Sequence, residues 1–273
     1  MRKWFKRLAV SAAAGLLLLA LGGAWVAHRA GQTPQWYQAA VECSVEPAQV
    51  AEHTQLIGFQ NWLARSGAGN PDQIPSRNRQ YEITLTEEQI NALLAKWTDN
   101  LHNDVELLRV HLGDDEMTVQ GTWTARGRTV GLHLKTGPAT DGRPSLWIDS
   151  VRVGDQGVPL SWVNSTPIDK LQTALKNLAA SEKRVAIDEH GIASPQVARI
   201  CTTASALSLA QGYAIEPTVF VSPRLSIEDT IPLNVIAARA DGKTLSLTFQ
   251  LLTPSEQQDL IDHTNAIIAQ QGK

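Results

Sequence analysis

The chain has 273 residues, with 24 Lys+Arg against 27 Asp+Glu and two cysteines. Residues 1–29 hold five of the basic residues and no acidic one, so the remaining residues carry 19 basic against 27 acidic side chains, a net charge of −8. This charge disfavours a nucleic-acid partner, and it should repel anionic lipid unless a local patch reverses its sign.

An uncharged run over residues 8–27 dominates the N-terminus. As a helix it would span roughly 30 Å, the thickness of the hydrocarbon core of a bilayer. Four cations precede the run and two tryptophans flank it: Arg2, Lys3, Lys6 and Arg7, with Trp4 and Trp25. We therefore predict a cytoplasmic tip and transmembrane anchor over 1–29, in the cytoplasmic (inner) membrane, with the C-terminal domain extracytoplasmic or periplasmic. Cleavage as a signal peptide is the alternative, and it would export the same domain.

Residues 30–76 are predicted to form a helical stalk and a linker. Apolar residues recur at helical spacing from 47 to about 64, whereas 66–76 are rich in turn-forming residues. The stretch of about 240 residues beyond the anchor is long enough for one large domain or two small ones.

Residues 77–180 are predicted to form a strand–helix–meander–helix unit. Tyr81–Leu85 alternates as a strand, and Thr86 with Gln89 then forms a capping box that begins a helix over 86–101. Four β-rich runs follow, and one-sided alternation predicts an antiparallel sheet that buries a single face. These runs are Val105–Leu112, Met117–Ala125, Thr129–Lys135 and Leu146–Val153. Gly157–Leu160 closes the segment, and Thr166 caps a second helix with Pro167 as its first residue.

Residues 181–273 are predicted to form a second α+β unit, packed on the first or continuous with it. The patterns indicate a short strand at Val185–Asp188, a helix over Pro195–Leu209 and a hairpin around Asp241-Gly242 with a type I′ turn. A second capping box, Thr253 to Glu256, begins a final helix.

The segment Ile83-Thr84-Leu85-Thr86-Glu87-Glu88-Gln89-Ile90-Asn91-Ala92-Leu93-Leu94, followed by a meander and Gly157-Val158-Pro159-Leu160, resembles YpmS-like single-pass bacterial envelope proteins. The resemblance covers residues 80–180. It implies an elongated sheet-and-helix fold of the kind that holds lipids in an apolar groove, and it implies no catalytic residue.

The sequence contains none of the common catalytic or cofactor-binding motifs: there is no nucleophile elbow, no zinc-binding helix and no phosphate-binding loop. We therefore predict no catalytic residue, no metal and no cofactor. The one cluster of potential ligands, His111 with Asp114, Asp115 and Glu116, lies at a predicted hairpin tip and is interpreted as solvated turn residues. Asn91 is interpreted as a hydrogen-bonded or boundary residue of its helix.

Tryptophans and cysteines are the remaining candidates. Core packing is the default interpretation of the tryptophans, and the alternative is an apolar groove lined by Trp97, Trp123, Trp147 and Trp162. Cys43 and Cys201 could form one disulfide in an exported chain, or remain as two buried thiols.

Together these patterns predict an α+β fold, a curved antiparallel β-meander sheet packed by amphipathic helices and preceded by one transmembrane helix. The predicted function is non-enzymatic binding of a lipid or other apolar ligand at the cell envelope. A protein–protein interaction or assembly scaffold of an envelope complex is the second hypothesis, and an undetected hydrolase is the third.

Overall fold

The computed structural model describes residues 31–42, 56–66, 79–98, 105–138, 143–162, 166–181, 187–188, 191–221 and 230–271. The helices among them are α1 Gln35–Glu42, α2 Leu56–Ser66, α3 Glu87–Thr98, α4 Thr166–Ser181, α5 Pro195–Ala210 and α6 Pro254–Gln271. The strands are β1 Gln80–Thr86, β2 Val105–Leu112, β3 Glu116–Trp123, β4 Arg128–Pro138, β5 Pro144–Val153, β6 Gln156–Pro159, β7 Thr218–Val221, β8 Ile231–Ala240 and β9 Thr244–Leu251. The predicted α+β class is confirmed.

The predicted transmembrane helix lies outside the described residues. Within the described part of the chain, no helix combines the length and the apolar character needed to cross a membrane.

The five-stranded sheet is the predicted meander. Its strands follow one another in the order β2-β3-β4-β5-β6, every neighbouring pair is antiparallel, and the register shifts at 106/109 and at 133/134. Residues 157–159, which the sequence indicated as a closing turn, belong instead to strand β6, where Val158 pairs with Val151.

A separate four-stranded sheet, in the order β1-β9-β8-β7, lies beside the predicted meander in the chain's fold, whereas the sequence predicted one sheet. Strand β1 pairs with β9 from Gln80↔Gln250 to Thr86↔Thr244, so residues of the two predicted units share one sheet. Local alternation predicts strands but carries no information about such distant partners, which is why the two-sheet arrangement was missed. The boundaries of the two predicted units, 77–180 and 181–273, remain predictions.

Helix α2 covers one face of the four-stranded sheet. Phe59 and Leu63 pack against buried side chains of three strands, among them Ile83, Leu233 and Phe249. A second cluster joins the helices α4, α5 and α6 through Leu175, Ile200 and Ile267.

Both predicted capping boxes are present. The Thr86 amide donates to Gln89 Oε1 at 2.9 Å, and the Gln89 amide donates to Thr86 Oγ1 at 3.2 Å. The Thr253 amide donates to Glu256 Oε2 at 2.8 Å, and the Glu256 amide donates back to Thr253 Oγ1 at 3.3 Å.

The hairpin predicted around Asp241-Gly242 joins β8 to β9, but the type I′ turn is wrong. That turn needs positive φ at two central residues, and only Gly242 has it here, at +79°. Asp241 Oδ1 instead accepts hydrogen bonds from the amide and hydroxyl of Thr244, at 2.9 and 2.7 Å. These bonds to the side chain hold the pKa of Asp241 below its usual value.

Candidate binding surface

The five-stranded sheet has one apolar side, which we call the apolar face. Its middle row crosses four strands, because Val119 pairs with Leu132, Leu132 with Val151, and Val151 with Val158. The register places these side chains on the face: Val110, Leu112, Met117, Val119, Gly121, Trp123, Val130, Leu132, Leu134, Ile148, Val151, Val153 and Val158.

The apolar face is covered at one end and open at the other. Val110, Leu112 and Leu134 are buried near the turn 113–115, where this sheet contacts the β8–β9 hairpin through the Asp115 amide and the Ala240 carbonyl. The side chains of the open end are partly exposed, and its members are Val119, Val130, Leu132, Val151, Val153 and Val158.

Leu132 is the most exposed aliphatic side chain of this open end, at 37%. No residue of the five-stranded sheet belongs to any of the three buried apolar clusters formed by the described residues. The sequence predicted that the apolar face is buried, and the described residues bury only one end of it. A contiguous apolar surface of this kind is typical of a binding site.

The open end terminates in a tryptophan and two arginines. Trp123 pairs with Arg128 across the β3–β4 turn, and the guanidinium carbon of Arg126 lies 5.0 Å from the centre of the Trp123 ring. Gly127, at φ +57°, allows the chain to reverse between the two arginines. Both arginines are exposed, and neither forms an ion pair with an acidic residue in the described part of the chain.

The opposite side of the sheet is polar, and helix α1 packs on it. The Tyr37 hydroxyl donates to the Leu107 carbonyl at 2.8 Å and lies 2.9 Å from Thr122 Oγ1. Burial raises the pKa of Tyr37, against the opposing effects of Thr122 and of the nearby Arg109 charge. Several polar side chains of this side are buried, including Arg109, Gln120, Thr129 and His133.

A histidine on the polar side is held between two carboxylates. His133 Nε2 lies 3.1 Å from Glu116 Oε2, and His133 Nδ1 lies 3.2 Å from Asp149 Oδ2. Lys135 Nζ donates to Asp149 Oδ1 at 3.0 Å, and this hydrogen bond is the main cause that lowers the pKa of Asp149. The carboxylates occupy opposite ring nitrogens, so the arrangement cannot converge on one metal ion. No group of three or more His, Cys, Asp or Glu among the described residues is arranged to hold a metal.

Helix α3 closes the free edge of β2. Asn91 Nδ2 donates to the Val110 carbonyl at 2.9 Å, and the Val110 amide donates to Asn91 Oδ1 at 2.6 Å. One turn earlier, Glu87 Oε2 accepts from the Leu112 amide at 2.9 Å. Asn91 is therefore the hydrogen-bonded residue that the sequence favoured, and it removes an edge at which another strand could add.

A cavity of about 630 Å³ lies between α1 and the β5–β6 turn, on the polar side. It is lined by Gln32, Thr33, Pro34, Gln35, Trp36, Gln38 and Asp155. Among the described residues that line it, Trp36 is the one aromatic side chain, and that ring stacks on His111 at 5.2 Å. This largely polar lining offers less to an apolar ligand than the apolar face does.

The predicted tryptophans are not brought together. Trp123 lies on the apolar face, whereas Trp147 pairs with Lys135 and covers Gly137 on the polar side. Their partners in β4, Arg128 and Lys135, are seven residues apart, or roughly 23 Å along an extended strand. Trp162 follows β6 and is 79% exposed, and the side chain of Trp97 lies outside the described residues. Trp123, Trp147 and Trp162 therefore do not line one common groove.

The remaining candidate residues have ordinary structural environments. His111 pairs with Glu87 at 3.1 Å rather than with the acids of the neighbouring turn. Cys201 is a buried thiol whose sulfur lies 3.1 Å from Thr264 Oγ1, and burial raises the pKa of that thiol. Cys43 lies outside the described residues, so the disulfide stays a prediction.

Sequence reasoning missed the open end of the apolar face and its two arginines. The signal was present, since Arg126-Gly127-Arg128 interrupts two alternating strands, but it was interpreted only as a turn. Alternation predicts which residues share a side of a sheet, and it does not predict what covers that side.

Comparison of the chain with protein-family models, with curated proteins and with solved structures gives no match. The resemblance to YpmS-like proteins accordingly stays a prediction.

Proposed function

We propose that this protein is a membrane-anchored, non-enzymatic envelope protein that binds a lipid or another apolar ligand on the apolar face. One observation carries the proposal: a row of aliphatic side chains crosses four paired strands and is left partly exposed, with Leu132, the most exposed, at 37%. In the anchored topology, the protein stays attached to the membrane from which such a ligand would come.

The size of the open end indicates how strongly it could bind. Complete burial of a Val or Leu side chain gains about 1.5–3 kcal/mol, so the six of the open end, each exposed by about a third at most, offer no more than roughly 3–6 kcal/mol in total. Association costs about 4–15 kcal/mol in lost motion. Apolar contact alone therefore gives weak binding, and a useful affinity requires a polar contact as well.

Photocrosslinking tests the proposal. Full-length chain in membranes would be irradiated with a lipid that carries a photoactivatable acyl chain, and the crosslinked peptides would be identified by mass spectrometry. We expect crosslinks in β3 to β6, and we expect Leu132→Asp to remove them because it places a charge in the middle of the apolar face. Ile57→Asp is the matched control, since Ile57 is 49% exposed in the first turn of α2, where an acidic side chain is tolerated.

Two results would contradict the proposal. One is crosslinking of β3 to β6 that does not exceed the crosslinking of α2. The other is equal labelling of wild type and Leu132→Asp, with circular dichroism showing that both are folded.

A second function, an assembly scaffold, is favoured by a different surface. Trp162 is 79% exposed and Tyr213 is 65% exposed. Leu160 Cδ2 lies 3.6 Å from the position that a Cβ on Gly212 would occupy, so the two segments carrying these aromatics are adjacent. Exposed aromatic side chains are typical of protein-binding hot spots. Crosslinking in membranes that captures one envelope protein stoichiometrically, and that Trp162→Ala abolishes, would support the scaffold; unchanged capture would count against it.

A further inference from the structure

We infer that the ligand of the apolar face is an amphiphile with an anionic headgroup, bound at Arg126 and Arg128 with its chain along β4. This inference rests on the proposed function and specifies the chemical class of the ligand.

Side chains alternate between the two sides of β4, and this alternation places the Arg128 charge on the same side as the apolar row. Arg128, Val130, Leu132 and Leu134 all lie on the apolar face, since their partners in β3 run from Trp123 to Met117. The six-residue step from Arg128 to Leu134 corresponds to roughly 20 Å of extended strand. One acyl chain crosses half of a bilayer core, about 15 Å. A headgroup at Arg128 therefore lets one chain lie along β4 past Leu132, four residues or roughly 13 Å away, and end short of the covered end near Leu134.

Arg126 supplies the second donor group. Its guanidinium lies against the Trp123 ring, 5.0 Å from the ring centre, and this contact holds it at the same end of the face. A guanidinium presents several N–H donors in one plane and matches the paired oxygens of a carboxylate or phosphate. The exposed Arg126 can thus contact the headgroup, and the partly exposed Trp123 ring beside it can contact the first part of the chain.

Charge in the surroundings favours an anion. In the described part of the chain, neither arginine is neutralised by a carboxylate. Asp155, in the β5–β6 turn beside this end, lines the cavity of the polar side together with Trp36. Arg126 and Arg128 therefore form a two-residue basic patch at this end, which also carries the exposed Glu106 opposite Thr122, on a region whose net charge is −8 beyond residue 29. Such a patch can attract an anionic headgroup that the rest of the surface repels.

The experiment compares two ligands that differ only in the headgroup. Full-length chain in phosphatidylcholine nanodiscs would be titrated with a photoactivatable fatty acid and with the alcohol of the same chain. We expect the acid to bind more tightly, and we expect high salt to reduce this preference. At about 1 kcal/mol for each basic residue, Arg126→Gln or Arg128→Gln should weaken acid binding about five-fold, and the double variant roughly thirty-fold. Binding of the alcohol should not change.

Control variants separate charge from fold. Arg199→Gln, at an exposed position of α5, should leave the preference for the acid unchanged. Replacement of both arginines by lysine should retain much of it, because the charge remains.

The outcomes distinguish this inference from the function on which it rests. Equal binding of acid and alcohol, unaffected by Arg126→Gln and Arg128→Gln, would overturn the headgroup assignment while Leu132-dependent binding continued to support an apolar ligand. Binding of neither ligand would overturn both. Displacement of the acid by inorganic phosphate alone would show a simple anion site and refute an amphiphile. A dimer whose formation requires Leu132 and excludes both ligands would show that a second copy occupies the face.

Discussion

Replacement of Asn91 by alanine should destabilise the protein through the edge of β2. The Asn91 amide is 8% exposed and makes two hydrogen bonds to the backbone of Val110, at 2.9 and 2.6 Å. Alanine makes neither bond, so the amide and the carbonyl of Val110 lose their partners.

The expected cost follows from these two groups. A buried backbone group without a partner costs about 1–3 kcal/mol, so the loss of two partners should lower the free energy of unfolding by roughly 2–6 kcal/mol. Alanine is a better helix former than asparagine by up to about 0.7 kcal/mol, which offsets a small part of the loss. Asn265→Ala in α6 is the matched control, because Asn265 is exposed and the gain in helix propensity is similar.

Urea unfolding of both variants, with hydrogen exchange at the Val110 amide, measures the effect. For a chain of this size, each kcal/mol lost from the free energy of unfolding lowers Tm by about 2–4 °C. We expect Asn265→Ala to stay within about 0.5 kcal/mol of wild type. A loss below 0.5 kcal/mol for Asn91→Ala, together with unchanged protection of the Val110 amide, would refute the reasoning.

Three further predictions concern packing, pH and thiol chemistry. Gly131→Ala should lower the free energy of unfolding by about 2 kcal/mol or more, because a Cβ there would collide with the neighbouring strand. Gly157→Ala is the control: a Cβ has room there, so the same urea titration should show little change. Asp149 has a lowered pKa, so its ion pair with Lys135 should stabilise the fold by about 0.2–1 kcal/mol above about pH 4, and this contribution should disappear as the pH falls through the folded pKa. Asp149→Asn should therefore flatten the acid limb of a plot of stability against pH, and an unchanged limb would contradict the assignment. Cys201 should be alkylated much more slowly in the native state than after unfolding, since burial hides the sulfur and raises the pKa of the thiol. Mass spectrometry would measure both rates, and equal rates would contradict the burial. Failure to alkylate Cys201 after unfolding without reductant would reveal a disulfide.

The local structure could be predicted from sequence where it depends on neighbours in the chain. The capping boxes at Thr86 and Thr253 require only residues three positions apart, and both formed as expected. The strands of the meander follow from alternation over a few residues, and the observed bounds differ from the expected ones by a few positions at most. Even the shared side of Val119 and Trp123 is fixed by the period of two along a strand.

The candidate site could be predicted only in part, for the same reason. Alternation identified the apolar side chains of β3 and β4, but the exposure of Leu132 depends on which elements pack over them. Trp123 and Trp147 belong to opposite sides of the sheet, and the register shift in β5 decides the side of Trp147.

The sequence by itself determined the strands β2 to β5 of the meander, the caps of α3 and α6 and the apolar or polar character of each side of the meander, since these depend on contacts within a few residues. Only the tertiary structure decided that β1 pairs with β9, that Asn91 closes the edge of β2, and that one end of the apolar face stays open beside Arg126 and Arg128. Such contacts join residues far apart in the chain, and their free energy depends on the packing of the whole fold rather than on any local pattern.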